Sequence, residues 1–311
     1  MAITNTKVFP KHLDRDINAI FFDDFITYPN DYPDVAVVGS AAPGNHYTEA
    51  ELSGLGHLKT KKEGDSITFD LPVEGHEKTV YWETYALGFQ ITAEMAADDQ
   101  TGNFKKMPQK LAKSAAIKPD IVFFNNNFNN GFTGTVVGNY NLSWDGQHIF
   151  DTDHTELYTG LATIANEPAT AGSLSETTLQ AGFEYFWNLT DEAGMPMVLT
   201  PDILLVPTEL TWVVSKLQKQ GLIINSANND INTVSPQNGI VGWRPKISRF
   251  LTSATAWFLL SKERDHRLEW KQNASLESAD DFYTGNALFK VTERFQAYTM
   301  AFKPSYGNPG A

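Results

Sequence analysis

The last third of the chain constrains the fold most. From Pro207 to Gln220, Leu210, Val213, Val214 and Leu217 fall at helical spacing. Ala256 to Leu260 is an unbroken apolar run of strand length, and Phe282 to Phe302 alternates apolar with polar residues. A helix, a buried strand and a long half-buried strand within about one hundred residues specify a packed unit of mixed helix and sheet. None of these segments gathers acids, bases or nucleophiles at the spacing that catalysis requires. The pattern describes a scaffold with surfaces.

The 311 residues suffice for one large or two interleaved domains with a sizeable core. The absence of cysteine excludes disulfides, thiolate metal sites and cysteine nucleophiles, so stability has to come from packing or from neighbouring subunits. With 24 basic against 37 acidic residues and a net charge of −13, the chain is poorly suited to wrap nucleic acid, which needs clustered Lys and Arg. Met1 to Pro10 has no apolar core of signal-peptide length. No run of 18 apolar residues occurs anywhere, so no membrane partner and a cytoplasmic site of folding are expected.

Residues 1–46 hold one apolar cluster, Ile20, Phe21, Phe22, Phe25 and Ile26, followed by Pro29, Pro33 and Pro43. The composition predicts a mostly extended arm with an apolar anchor. Alternation at Ile67, Phe69 and Leu71, a turn at Glu74 to His76 and a β-rich Val80 to Tyr85 predict a long projecting hairpin. Phe21, Phe22, Phe25, Ile67, Phe69 and Trp82 lie in segments with too little sequence around them to bury both sides locally, so they are expected at contacts between subunits.

Pro108 to about Phe128 reads as a helix with Leu111, Ala115 and Val122 on one face, bent near Pro119 and ended by the Asn-rich Asn125 to Gly131. Residues 132–173 read as a loop-dominated insertion. Ser175 is an N-cap, with Leu174 and Leu179 placed as a hydrophobic staple and Phe183 and Phe186 continuing the helix to Gly194. Ile203 to Val206 is a short buried strand, and the helix after it closes at Gly221. Asn225 to Asn238 reads as a polar loop.

Three groups of residues raise the question of chemistry. Asp151, Thr152, Asp153, His154 and Thr155 match the DxDxT order of haloacid-dehalogenase-type phosphatases, whose first Asp is a nucleophile and second an acid/base. There the motif follows a strongly apolar strand; here only Ile149 and Phe150 precede it. A metal-dependent phosphatase using Asp151 and Asp153 is the alternative function. His148, Asp151, Asp153 and His154 are also of metal-ligand type, against the commoner reading of a solvated turn with Asx caps. Lys59, Lys61 and Lys62 among glycines lack the order of a phosphate loop, and adjacent Asp98 and Asp99 point apart. No catalytic residue, cofactor or metal is predicted.

Taken in order, five segments resemble those of tailed-bacteriophage major capsid proteins with the Hong Kong 97-like fold, most of all the Mu-like major head subunits. They are Tyr85 to Asp99, Asn129 to Phe132, Asp145 to His154, Pro201 to Leu217 and Thr255 to Leu260. The resemblance implies an α+β fold with an N-terminal arm at 1–46, an extended β-hairpin (E-loop) at 47–92, and a peripheral domain at 93–172 and 281–311 containing a spine helix at 108–128. An axial domain at 173–280 completes it. It further implies self-assembly through pentamers and hexamers into an icosahedral shell around double-stranded DNA, located in the virion after assembly in the host cytoplasm. Portal, scaffolding and decoration proteins are the expected partners, and contact with packaged DNA is expected to be weak and non-specific, with Lys105, Lys106, Lys110 and Lys113 as a local basic patch.

Overall fold

The computed structural model describes residues 9–92, 106–132, 136, 138–155, 163–191, 193–219, 232–236, 242–281, 283–284 and 286–311. The expectations at Asp98, Asp99, Lys105 and Gly221, and most of the 225–238 loop, lie outside them. Two four-stranded sheets organise the chain. The first has the order β1 (Val37–Ser40), β8 (His266–Asp280), β9 (Ala287–Thr299), β4 (Glu83–Ile91). The second has the order β10 (Ser305–Asn308), β7 (Trp257–Ser261), β5 (Pro201–Pro207), β6 (Arg244–Ser248). Each sheet has one parallel pair, β1 with β8 and β5 with β6, and is otherwise antiparallel. A separate antiparallel hairpin pairs β2 (His46–Leu52) with β3 (Glu74–Tyr81).

The first sheet carries helix α1 (Phe9–Thr27) and helix α2 (Lys106–Phe124), which packs against β9. Helix α2 has Pro119 in its interior and runs into a π turn at Asn125–Asn129. There the Asn side chains take over from the backbone: Asn126 Nδ2 donates to Ala297 O at 3.0 Å and Asn129 Nδ2 to Phe250 O at 2.9 Å. The second sheet carries α3 (Glu176–Asn188) and α4 (Thr211–Lys219). Ser175 caps α3 in a reciprocal pair with Thr178, and Leu174 and Leu179 share one core cluster, as the staple requires.

Strand β5 is buried on both faces, so an uninterrupted apolar run was the right signal for it. The largest cluster joins the two sheets: Phe123, Phe124, Phe128 and Phe150 pack on Leu205, Phe258, Leu260, Leu268 and Phe295.

Three expectations need correction. The N-terminal segment is not extended through its apolar cluster: Ile17, Phe21 and Phe25, four residues apart, share one face of a 19-residue helix. Residues 67–71 form no strand, and pairing in the hairpin stops at Leu52 and Glu74. The expected boundary at 280/281 falls inside the antiparallel pair of β8 with β9, while β10 joins β7 in the other sheet. Strand order, which sequence position alone does not specify, decides sheet membership.

Candidate functional site

The hairpin and its tip carry a cluster of exposed large apolar side chains. Ser53 N donates to Val73 O at 2.9 Å and Val73 N to Ser53 Oγ at 2.8 Å, closing a long tip. Within the tip Gly56 N donates to Asp70 Oδ2 at 2.9 Å and Asp65 N to Lys62 O at 3.1 Å. Leu55, Leu58, Ile67 and Phe69 stand exposed around a hollow of about 620 Å³, Ile67 at 67% and Phe69 at 86%, and Leu71 beside it is exposed as well. So many large apolar side chains exposed in one surface loop make an apolar patch that the subunit itself leaves uncovered.

The root of the hairpin, by contrast, is firmly tied. Val80 and Trp82 pack with Tyr140, Tyr298 and Met300. Arg267 on β8 bonds to Glu49 on β2 at 2.6 Å and to Asp265 at 2.5 Å. Burial works against the Arg267 charge, but these two carboxylates outweigh it and hold the guanidinium more firmly protonated than usual. Lys78 is buried, with Nζ 2.5 Å from Leu142 O and 2.6 Å from Thr299 O.

The six residues expected at subunit contacts divide. Phe21 is fully covered by its own chain, against Leu111, Ala112, Ala115 and Val291, and Trp82 is covered by the cluster at the hairpin root. Phe25 is partly covered. Phe22, Ile67 and Phe69 remain open to solvent. For Phe21 and Trp82 the reason is the same: the partners come from sequence-distant α2, β9 and the 138–155 loop, which local sequence does not display.

The DxDxT segment is a turn. Asp151 Oδ1 accepts from Thr152 N at 2.7 Å and from Asp153 N at 3.2 Å, an Asx cap. His154 is buried, with Nδ1 2.8 Å from Asp145 Oδ2 and Nε2 3.1 Å from Asn166 Oδ1, and it stacks on Phe302 at 3.7 Å. Asn166 also accepts from Asp151 N and donates to Ile149 O. Glu167 nearby is pushed up to about 7 by burial, with the Asp151 charge adding and His154 opposing. Among the described residues no three His, Asp or Glu are grouped to hold a metal. The segment's polar groups are spent on holding a loop, and its chain context is not the buried strand that presents a phosphatase nucleophile.

Four further polar residues were not singled out by sequence reasoning. Asp120, inside α2, accepts from Asp31 N at 3.0 Å and Tyr32 N at 2.8 Å. Burial raises it to about 6 despite those bonds. Lys246 on β6 bridges Asp31 and Asp34, and Arg264 Nε donates to Val35 O, so the 31–35 segment is fastened to the second sheet and to the turn between β7 and β8. Glu293 on β9 is buried with Oε1 unpartnered among the described residues, and burial pushes it to about 7. An Asp set within the apolar stripe of a helix, in line with Ala116, Phe123 and Phe124, was the available signal for Asp120; nothing in the sequence distinguishes Glu293. Lys106, Lys110 and Lys113 are exposed on α2, Lys113 lying 5.9 Å over the ring of Tyr28.

A family model described as phage capsid protein matches residues 77–304. No curated protein matches the sequence. Among solved structures, the fold is similar to the asymmetric unit of the bacteriophage PhiM1 mature capsid, with a TM-score of 0.56 at 10% identity over 90% of this chain and 86% of that one. It is similar to the capsid of a native GTA particle, with a TM-score of 0.55 at 10% identity over 89% and 88%. It is also similar to the capsid of bacteriophage JBD30 decorated with minor capsid protein trimers, with a TM-score of 0.54 at 16% identity over 72% and 92%.

Proposed function

The chain belongs to the phage capsid protein family, and from that premise we propose that it is the major head subunit, assembling through pentamers and hexamers into an icosahedral shell around double-stranded DNA. The observation that carries the reading is the family match across residues 77–304, which takes in most of β3 at the root of the hairpin, helix α2 and three of the four strands of each sheet. The architecture suits the task. Two sheets locked through one aromatic core give a rigid block, and the tip of the hairpin presents apolar side chains that the subunit itself leaves uncovered. Each Å² of apolar surface buried on a neighbour contributes about 25 cal/mol, and repetition over a closed shell turns modest interfaces into a stable assembly.

Within this reading the first sheet with α1 and α2 is the peripheral domain, with α2 as its spine helix. The second sheet with α3 and α4 is the axial domain, and 47–92 is the E-loop. The N-terminal arm is a helix docked on the spine. Portal, scaffolding and decoration proteins are partners we propose on family grounds, as are assembly in the host cytoplasm and affinity to the Mu-like branch. The excess of acidic over basic residues suits a wall that does not hold packaged DNA tightly, because each phosphate contact would add salt-dependent affinity.

Electron microscopy of the purified protein tests the proposal. Closed shells, or rings of five or six subunits, are expected; a monodisperse monomer under all assembly conditions would refute it.

A further inference from the structure

Lys78 lies on β3 where the hairpin meets the body, and its amino group is inside the protein. Its two hydrogen-bond acceptors are backbone carbonyls from separate parts of the body, Leu142 in the loop after α2 and Thr299 at the end of β9. The nearby acids are engaged elsewhere: Asp145 pairs with His154, and Asp265 and Glu49 pair with Arg267. A neutral amine has two N–H donors, matching two carbonyls, whereas an ammonium has a third. That third donor has no acceptor among the hydrogen bonds of the described residues.

We propose that Lys78 is a proton-operated latch for the hairpin: with a neutral amine the β2–β3 root is seated on Leu142 and Thr299, and protonation loosens it. Burial lowers the Lys78 amine to about 7, with Asp265 and Asp145 pulling upward and Arg267 downward. The charged groups facing it are Asp265 and Arg267 at the start of β8 and Asp145 in the 138–155 loop. Glu49 reaches the cluster through Arg267, and His154 through Asp145.

The direction follows from proton linkage. The seated amine binds a proton less readily than a released one, whose ordinary value is 10.5. The seat therefore strengthens as pH rises from about 7 toward 10.5 and levels off below 7. One linked proton allows about fiftyfold between pH 7 and pH 9. The latch goes beyond shell formation and does not depend on it, since every group belongs to one chain.

The test is pulsed hydrogen exchange on the full-length unassembled chain between pH 6 and 9, corrected for intrinsic exchange rates. Protection of amides in 46–52 and 74–81 should rise about fiftyfold from pH 7 to 9 in the wild type. In Lys78→Met, which has no proton to bind, that rise should vanish. In the wild type alone, acetylation of Lys78 relative to exposed Lys59 should fall by the same factor over the same range, a readout that requires no folded variant. A pH-independent acetylation ratio, or a rise in protection that survives in Lys78→Met, would overturn the latch.

Discussion

Replacing Phe21 with Ala separates two roles for the N-terminal helix. If α1 were only an arm for neighbouring subunits, the free subunit would not notice the change. Phe21 is instead fully buried, stacked on Phe25 at 5.9 Å and packed on Leu111, Ala112, Ala115 and Val291 of its own chain. Truncating a buried Phe to Ala costs about 3–5 kcal/mol, the lost transfer energy plus the cavity left behind. Two of its neighbours are alanines on a rigid helix and have no side-chain length with which to fill the void, which places the cost in the upper half of that range. For a chain of this size roughly 2 °C per kcal/mol applies, so the melting temperature should fall by about 8–10 °C. Calorimetry on the unassembled subunit reads this directly. Unchanged melting together with loss of shells would refute the packing argument and restore the free-arm reading.

The hairpin tip should behave in the opposite way. Ile67→Ser and Phe69→Ser should leave subunit melting within about 0.5 kcal/mol of wild type, since both residues are exposed, yet lower the yield of shells in a sedimentation assay. Asn166→Ala should destabilise the subunit by about 2–4 kcal/mol in chemical denaturation, because it strands His154, Asp151 N and Ile149 O at once. Glu293→Gln should stabilise the subunit at pH 8 by roughly 2–3 kcal/mol. Burial raises the folded carboxyl from 4.5 to about 7, so the wild type loses stability as pH climbs through that window, and the advantage of Gln should disappear below pH 4.5 in a pH series of melts.

How much of this was legible in the sequence depended on how local the cause was. Ser175 with its staple and the apolar run at Ile203 to Val206 carry their structural reasons within a few residues, and the helix start and the strand folded as their patterns said, although that helix ends at Asn188 rather than at Gly194. Helix α1 was missed because Ile20, Phe21 and Phe22 stand in a row and hide the four-residue spacing of Ile17, Phe21 and Phe25, and because the following prolines suggested extension. Ile67, Phe69 and Leu71 alternate like a strand, but alternation describes side chains and supplies no partner; without a ladder the segment is a loop. Strand β8 was not singled out: in its outer half only Ala274 and Leu276 turn inward, toward the Phe21 cluster, among the exposed Gln272, Asn273, Glu277, Ser278 and Asp280, too few apolar positions to impose a pattern. Lys78 and Asp120 matter through bonds to residues 64–221 positions away in Leu142, Thr299, Asp31 and Tyr32, a distance no motif spans. The family resemblance succeeded where local reading stopped, because the order of several weak segments carries topology.

The most direct measurement is a cryo-electron microscopy reconstruction of assembled particles at a resolution that traces side chains. A closed icosahedral lattice of this subunit, with the tip at 55–71 lying on a neighbouring copy and Ile67 and Phe69 buried there, is the predicted result. Particles in which the tip folds back on its own subunit, or a protein that forms no lattice at all, would contradict the account.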